Sequence, residues 1–242
     1  MSVLAFDVET RIDKTLLRAT QFRNQPLGDD QAYERMREQL RHESDGRSDF
    51  FPLTLHVPIS IAMVSAGADY QMNGIEVLAA DRLGEDGIVH EFWRRLEAFE
   101  GTLVTFNGRG FDLPVLELSA LRHGCVAPRY FGQRNGLRHR FGAHLDLHDW
   151  FSNYGAVRLR GGLDLIARLA DLPGKTQTSG GDIQRLWERG AWGAIHRYCL
   201  DDAVQTFLLF VRVEQLCGRV PPDRAVEITR AACAALSAWE AW

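Results

Sequence analysis

The chain reads as an α/β protein with a mixed central sheet flanked by helices. Three observations predict this. Short, β-prone apolar runs occur at Val3–Val8, Val57–Ser65 and Thr102–Phe106. Helical periodicity separates or follows them, at Gly84–Glu100 and Leu113–His123. Helical patterns then dominate the second half of the chain. Early strands, then helix, strand, helix and later helices around a last short strand suit a mixed sheet.

Each element has its own justification. Val3–Val8 is apolar enough for a buried strand and delivers Asp7 and Glu9 at its end. From Thr10 to about Phe51 the chain is polar and charged, with a helical stretch near Gln31–Arg41. It lacks a core-strand pattern, so residues 11–52 are expected to be an insertion on the sheet edge. Val57–Ser65 is β-prone, although Pro58 weakens its start. Gly74–Ala80 is its hairpin partner across the Gly67–Asn73 turn region. Gly84–Glu100 places Ile88, Phe92, Leu96 and Phe99 on one helical face. Thr102–Phe106 is a strand, and Leu113–His123 a helix that tolerates Pro114 in its first turn. Arg129–Gly142 is a basic, glycine-containing loop. Leu145–Tyr154, Leu163–Ala170 and Asp182–Arg189 are short helices. Thr176–Gly181 is a polar loop. Trp192–Cys217 is the longest helix, with Leu200, Val204, Phe207, Leu208 and Val211 as its apolar stripe. Pro221-Pro222 ends it, and Asp223–Trp239 is a last helix.

Composition narrows the function classes. Of 242 residues, 45% are hydrophobic and 25% charged, which suits a globular chain with a sizeable core. One domain over 1–242 is expected, with the insertion at about 11–52 and a helical extension at about 219–242. No run spans a bilayer, and the start carries no basic leader, so neither a membrane partner nor a signal peptide is expected. Cys125, Cys199, Cys217 and Cys233 form no Cys-x-x-Cys pair, which points to free thiols and a cytoplasmic location. A net charge of −4 weighs against broad, nonspecific duplex binding. Lysine is confined to Lys14 and Lys175, a bias that suits phosphate contacts but that coding composition explains better.

Chemistry concentrates in three short segments: Phe6-Asp7-Val8-Glu9-Thr10, Asn107-Gly108-Arg109-Gly110-Phe111-Asp112-Leu113-Pro114 and Tyr198-Cys199-Leu200-Asp201-Asp202-Ala203. Asp7 and Glu9, at i and i+2, leave the same face of a strand. Asp112 stands where a helix begins, a place that also suits a capping carboxylate. Tyr198 and Asp202 share a helix face one turn apart. Hard divalent cations require clustered oxygens, and clustered carboxylates without a cation repel one another. Arg134, Arg138, His139 and Arg140, with Arg158 and Arg160, are candidate strand-binding groups; a solvated surface loop is the competing reading. Trp187, Trp192, Trp239 and Trp242 read as packing residues.

In this order the segments resemble the three motifs of the DEDD superfamily of 3′–5′ exonucleases. The third resembles the tyrosine form, typical of the proofreading domains of B-family DNA polymerases. Aligning on Asp202-Ala203 puts Arg197, not His196, at the position of the alternative histidine form. The resemblance is closest to stand-alone bacterial exonucleases similar to that proofreading domain, and it implies an RNase H-like fold. It also implies two divalent ions, Mg²⁺ or Mn²⁺. Asp7, Glu9 and Asp202 would hold the first, with Asp7 bridging to a second on which Asp112 acts through water. Tyr198 would position the attacking water. Thr10, Asn107 and Phe111, with Arg138 and Arg140, would contact substrate.

The function expected is metal-dependent hydrolysis of phosphodiesters at the 3′ end of single-stranded DNA or RNA, releasing nucleoside 5′-monophosphates. Two other classes stand beside it. One is a nucleic-acid binding module on an exonuclease fold that no longer cuts, which the complete set of acids argues against. The other is a hydrolase of small phosphoesters or nucleotides.

Overall fold

The computed structural model describes residues 2–132, 138, 142–172 and 182–239. Five strands form one sheet in the order β3-β2-β1-β4-β5. They are β1 (Ser2–Ile12), β2 (His56–Ala66), β3 (Met72–Ala79), β4 (Gly101–Thr105) and β5 (His144–Asp146). β2 pairs antiparallel with both β1 and β3, while β4 runs parallel to β1 and β5 parallel to β4. The sheet is mixed and helices cover it, as expected.

The alternation of β1 sorts its residues between two cores. Val3 and Ala5 face one side, with Ala62, Val64 and Ala66 of β2. Leu4, Phe6 and Val8 face the other, with Ile59, Ile61 and Met63. The first face packs against α9 (Trp192–Leu216) and α10 (Pro222–Ala238). The second packs against α3 (Ala80–Ala98) and α4 (Asp112–His123), where Phe92, Trp93, Leu96 and Leu116 are fully buried. Burying such side chains contributes about 1.5–3 kcal/mol each, so α9 and α3 clamp β1 from both sides.

Three differences from the sequence expectations bear on function. First, β1 does not end at the acids; it runs on to Ile12 across an irregularity between Glu9 and Thr10. Pro58 sits opposite Thr10 there and cannot donate to the ladder, which is why the register shifts. Second, the segment after β1 holds two helices, α1 (Lys14–Gln21) and α2 (Asp29–Glu43), not one. They enclose a small core of Leu17, Phe22, Ala32, Phe51 and Leu55 against Ile12. The short α1 buries a single leucine, so its periodicity is faint. Third, Leu145–Tyr154 is not one helix: β5 occupies its start and α6 (Leu147–Phe151) follows. The basic loop begins as a helical turn, α5 (Pro128–Phe131). α7 (Gly162–Leu169) and α8 (Ile183–Glu188) lie where expected. The polar loop 176–181 lies outside the described residues. No helix among the described residues is long and apolar enough to cross a membrane. All four cysteines are free.

Candidate metal centre

Asp7 and Glu9 continue the Val3–Ala5 face of β1, the face that α9 covers. Close approach is possible because the contact is made of small residues: Ala5, Ala62, Cys199 and Ala203 are all fully buried. Cys199 Sγ also donates to the carbonyl oxygens of Asp7 (3.3 Å) and Ser60 (3.6 Å), which fixes the helix over the strands. Asp202, three residues on and on the same helix face, therefore reaches the strand acids. One carboxylate oxygen each from Asp7, Glu9 and Asp202 lies within 4.8 Å of the others. This is the one such group among the described residues. Asp202 and Glu9 are buried and Asp7 is half-buried. Three carboxylates this close in a low-dielectric setting repel strongly unless a cation joins them. The all-oxygen donor set fits Mg²⁺ or Mn²⁺ and suits zinc less well.

Asp112 comes from the third direction. It is the first residue of α4, with Phe111 in the capping position, so the capping reading gives way to a different one. Its carboxylate accepts the N–H of Val8 and its own N–H. Burial pushes its pKa up to about 7, and the charges of Asp146 and Asp202 add to the rise. Asp112 lies outside the 4.8 Å group. It lines the same cavity as Asp7 and Glu9, a space of about 710 Å³. A dication there reverses the penalty on its charged form.

The segment carrying Asn107 and Phe111 is held by Asp146 at the end of β5. Asp146 Oδ1 accepts the N–H groups of Asn107 (2.8 Å) and His148 (3.0 Å), and Oδ2 accepts that of Arg109 (2.9 Å). Asn107 has a positive φ of 64°, which Asn tolerates better than most residues. Gly108 is required next to it, because a Cβ there would lie 2.5 Å from the Thr105 side chain. Asp146 was missed by the sequence reading, which gave its surroundings to a helix. The available clue was an acid directly before a short helical turn, a capping pattern, and Asp146 does cap α6.

The remaining expected residues divide. Thr10, Asn107 and Phe111 line the cavity of the acids. Thr10 Oγ1 is hydrogen-bonded to His56 Nδ1 at 2.7 Å. Phe111 meets His56 and Phe50 edge-on, with ring centroids 5.1 and 5.7 Å away. Phe50 and His56 were not anticipated: Phe50 arrives from the segment read as an insertion, and His56 is the first residue of β2, just before the run read as a strand. Tyr198 is buried one turn before Asp202, among residues that include Phe6, Val8 and Ile195. Arg138 is not among the residues lining the cavity; it pairs with Glu117 at 3.0 Å and lies over the Phe131 ring. Arg134, His139 and Arg140 lie outside the described residues. His196 is occupied elsewhere: Nδ1 meets Ser60 Oγ and Nε2 meets Asp81, both at 3.0 Å, and its ring stacks on Trp192. Burial holds its pKa below the usual histidine range, despite the Asp81 carboxylate.

Carboxylates converging from β1, α4 and α9 of a mixed α/β sheet define a candidate divalent-cation site of the kind that serves phosphoryl chemistry. The sequence places the chain more closely. Residues 48–241 match the model of a family described as a predicted 3′–5′ exonuclease related to the exonuclease domain of PolB, and the chain belongs to that family. The RNase H-like exonuclease fold agrees with the sheet and helices observed. β1, with Asp7 and Glu9, precedes the matched range and is joined to it by the fold. No curated protein matches the chain.

Proposed function

We propose that this protein is a 3′–5′ exonuclease of the tyrosine form that removes nucleoside 5′-monophosphates from the 3′ end of single-stranded DNA. The observation that carries this reading is the convergence of Asp7, Glu9 and Asp202, with oxygens within 4.8 Å, beside a cavity also lined by Asp112. Asp7, Glu9 and Asp202 would hold one Mg²⁺ or Mn²⁺ ion, with Asp7 and Asp112 serving a second. When bound, such a pair activates the attacking water and offsets the charge developing on the departing 3′ oxygen. Tyr198, one turn from Asp202, orients the water through its hydroxyl. In hydrolysis the water oxygen bonds to phosphorus and the P–O3′ bond breaks. The 3′ oxygen leaves with the electron pair and is protonated from solvent. Asn107 and Phe111 face the nucleotide being released, and stacking on an aromatic ring accepts any base.

The test uses 5′-labelled single-stranded DNA and RNA oligomers with Mg²⁺ or Mn²⁺, beside a mononucleotide ester. A ladder shortening from the 3′ end of DNA supports the reading. Retardation without cutting favours a binding module, and cleavage of the small ester alone favours a nucleotide hydrolase. A ladder on RNA alone would correct the substrate.

A further inference from the structure

A second cavity, of about 370 Å³, also reaches the acids. It shares Asp7, Phe106 and Asn107 with the larger cavity, and adds Asp202, His148 and Gly162. The larger one contains Glu9 and Asp112 and is walled by the rings of Phe50, His56 and Phe111. A phosphodiester seated at Asp7 therefore borders both cavities. His148 is half-buried and its ring meets Phe106 edge-on at 5.8 Å. Its backbone N–H is spent on Asp146, yet neither imidazole nitrogen has a hydrogen-bond partner among the described residues. It also stands outside the 4.8 Å carboxylate group. Arg158 and Arg160 flank the lining residue Leu159. Both are exposed, and neither forms an ion pair among the described residues, whereas many other arginines of the chain do. An open imidazole donor, with two exposed arginines flanking a lining residue in the chain, suits a sugar-phosphate chain.

We infer that this cavity is the strand-side subsite: His148 donates a hydrogen bond to the sugar-phosphate of the nucleotide preceding the scissile bond, and Arg158 and Arg160 meet the phosphates beyond it. The inference rests on the exonuclease reading and extends it to the part of the substrate that stays behind. A neutral imidazole N–H suffices for this contact.

The experiment compares two substrates. One is a 5′-fluorescein oligothymidylate. The other is the p-nitrophenyl ester of thymidine 5′-monophosphate, which has a scissile bond but no upstream strand. For His148→Ala, KM on the oligomer is expected to rise tenfold or more, with a several-fold smaller loss on the ester. His148→Gln, which keeps an N–H donor, recovers part of the loss. The Arg158→Ala/Arg160→Ala double variant weakens oligomer binding, measured by fluorescence anisotropy in EDTA, at least fivefold. Equal losses on both substrates would place His148 at the acid cluster or in folding and overturn the inference; an unchanged oligomer KM would overturn it too. Asp7→Ala separates the two levels. If it abolishes cutting while His148→Ala cuts oligomer normally, the exonuclease reading stands and the subsite falls. If the wild-type protein cuts neither substrate, the exonuclease reading falls and the anisotropy arm alone decides whether the cavity binds a strand.

Discussion

Asp7 stands at the centre of the geometry. It belongs to the carboxylate group, lines both cavities and lies under Cys199. Asp7→Ala is expected to lower turnover more than a hundredfold while circular dichroism and melting stay native-like; near-normal turnover would remove the site. Tyr198→Phe should slow cutting less than Asp202→Ala, because it removes an orienting hydroxyl and not a charge. Asp146→Ala tests the hidden support: the N–H groups of Asn107 and Arg109 lose their acceptor. These part-buried donors are left without their acceptor, so melting temperature and kcat/KM should fall together. The acids were legible in the sequence because they sit in short motifs beside apolar strand patterns. Asp146 was not, because its value lies in backbone groups about forty residues away, which no local pattern records.

At the scale of elements, α9 is the part that turns a β-strand into a site. Its small contact residues let Asp202 approach Asp7. Ala203→Leu should destabilise the fold by about 1–3 kcal/mol through overpacking and reduce activity beyond that, since the helix must shift outward. Proportional losses in stability and activity would argue that α9 merely packs. The C-terminal end of α9 is tied down separately. Buried Glu214 accepts Arg219 at 2.5 Å and the Tyr70 hydroxyl at 2.7 Å. Burial alone would raise the Glu214 pKa, but these partners outweigh it and hold the carboxyl below its usual range. A depressed native pKa gives stability that is present above the unfolded value, about 4.3, and lost as pH falls through the native value. Arg219→Ala should therefore destabilise at neutral pH, with the gap from wild type closing below about pH 4. A gap independent of pH would assign Arg219 a packing role. Helix α9 was readable from its long apolar stripe, whereas α1 and β5 were not. Neither offers enough turns or residues for periodicity to register.

Across the whole molecule, the two-sided core explains why the fold was legible and the cleft only partly so. Strand and helix periods report burial, and burial built the sheet between α9 and α3. Of the cleft wall, Phe50 comes from a segment whose polar surface hid its small core, and His56 from the first residue of β2. The assembled molecule also carries a thermodynamic signature. It holds Asp7, Glu9 and Asp202 together against their repulsion, so Mn²⁺ or Mg²⁺ should raise the melting temperature, since a ligand bound only by the native state stabilises it. Asp7→Ala should remove most of that shift. The central claim, that these carboxylates from distant parts of the chain hold dications, is met most directly by anomalous diffraction from crystals soaked with Mn²⁺ and thymidine 5′-monophosphate. An anomalous peak bonded to Asp7, Glu9 and Asp202, with a second toward Asp112, is the result predicted; an active protein whose Mn²⁺ peaks lie away from Asp7 would contradict it.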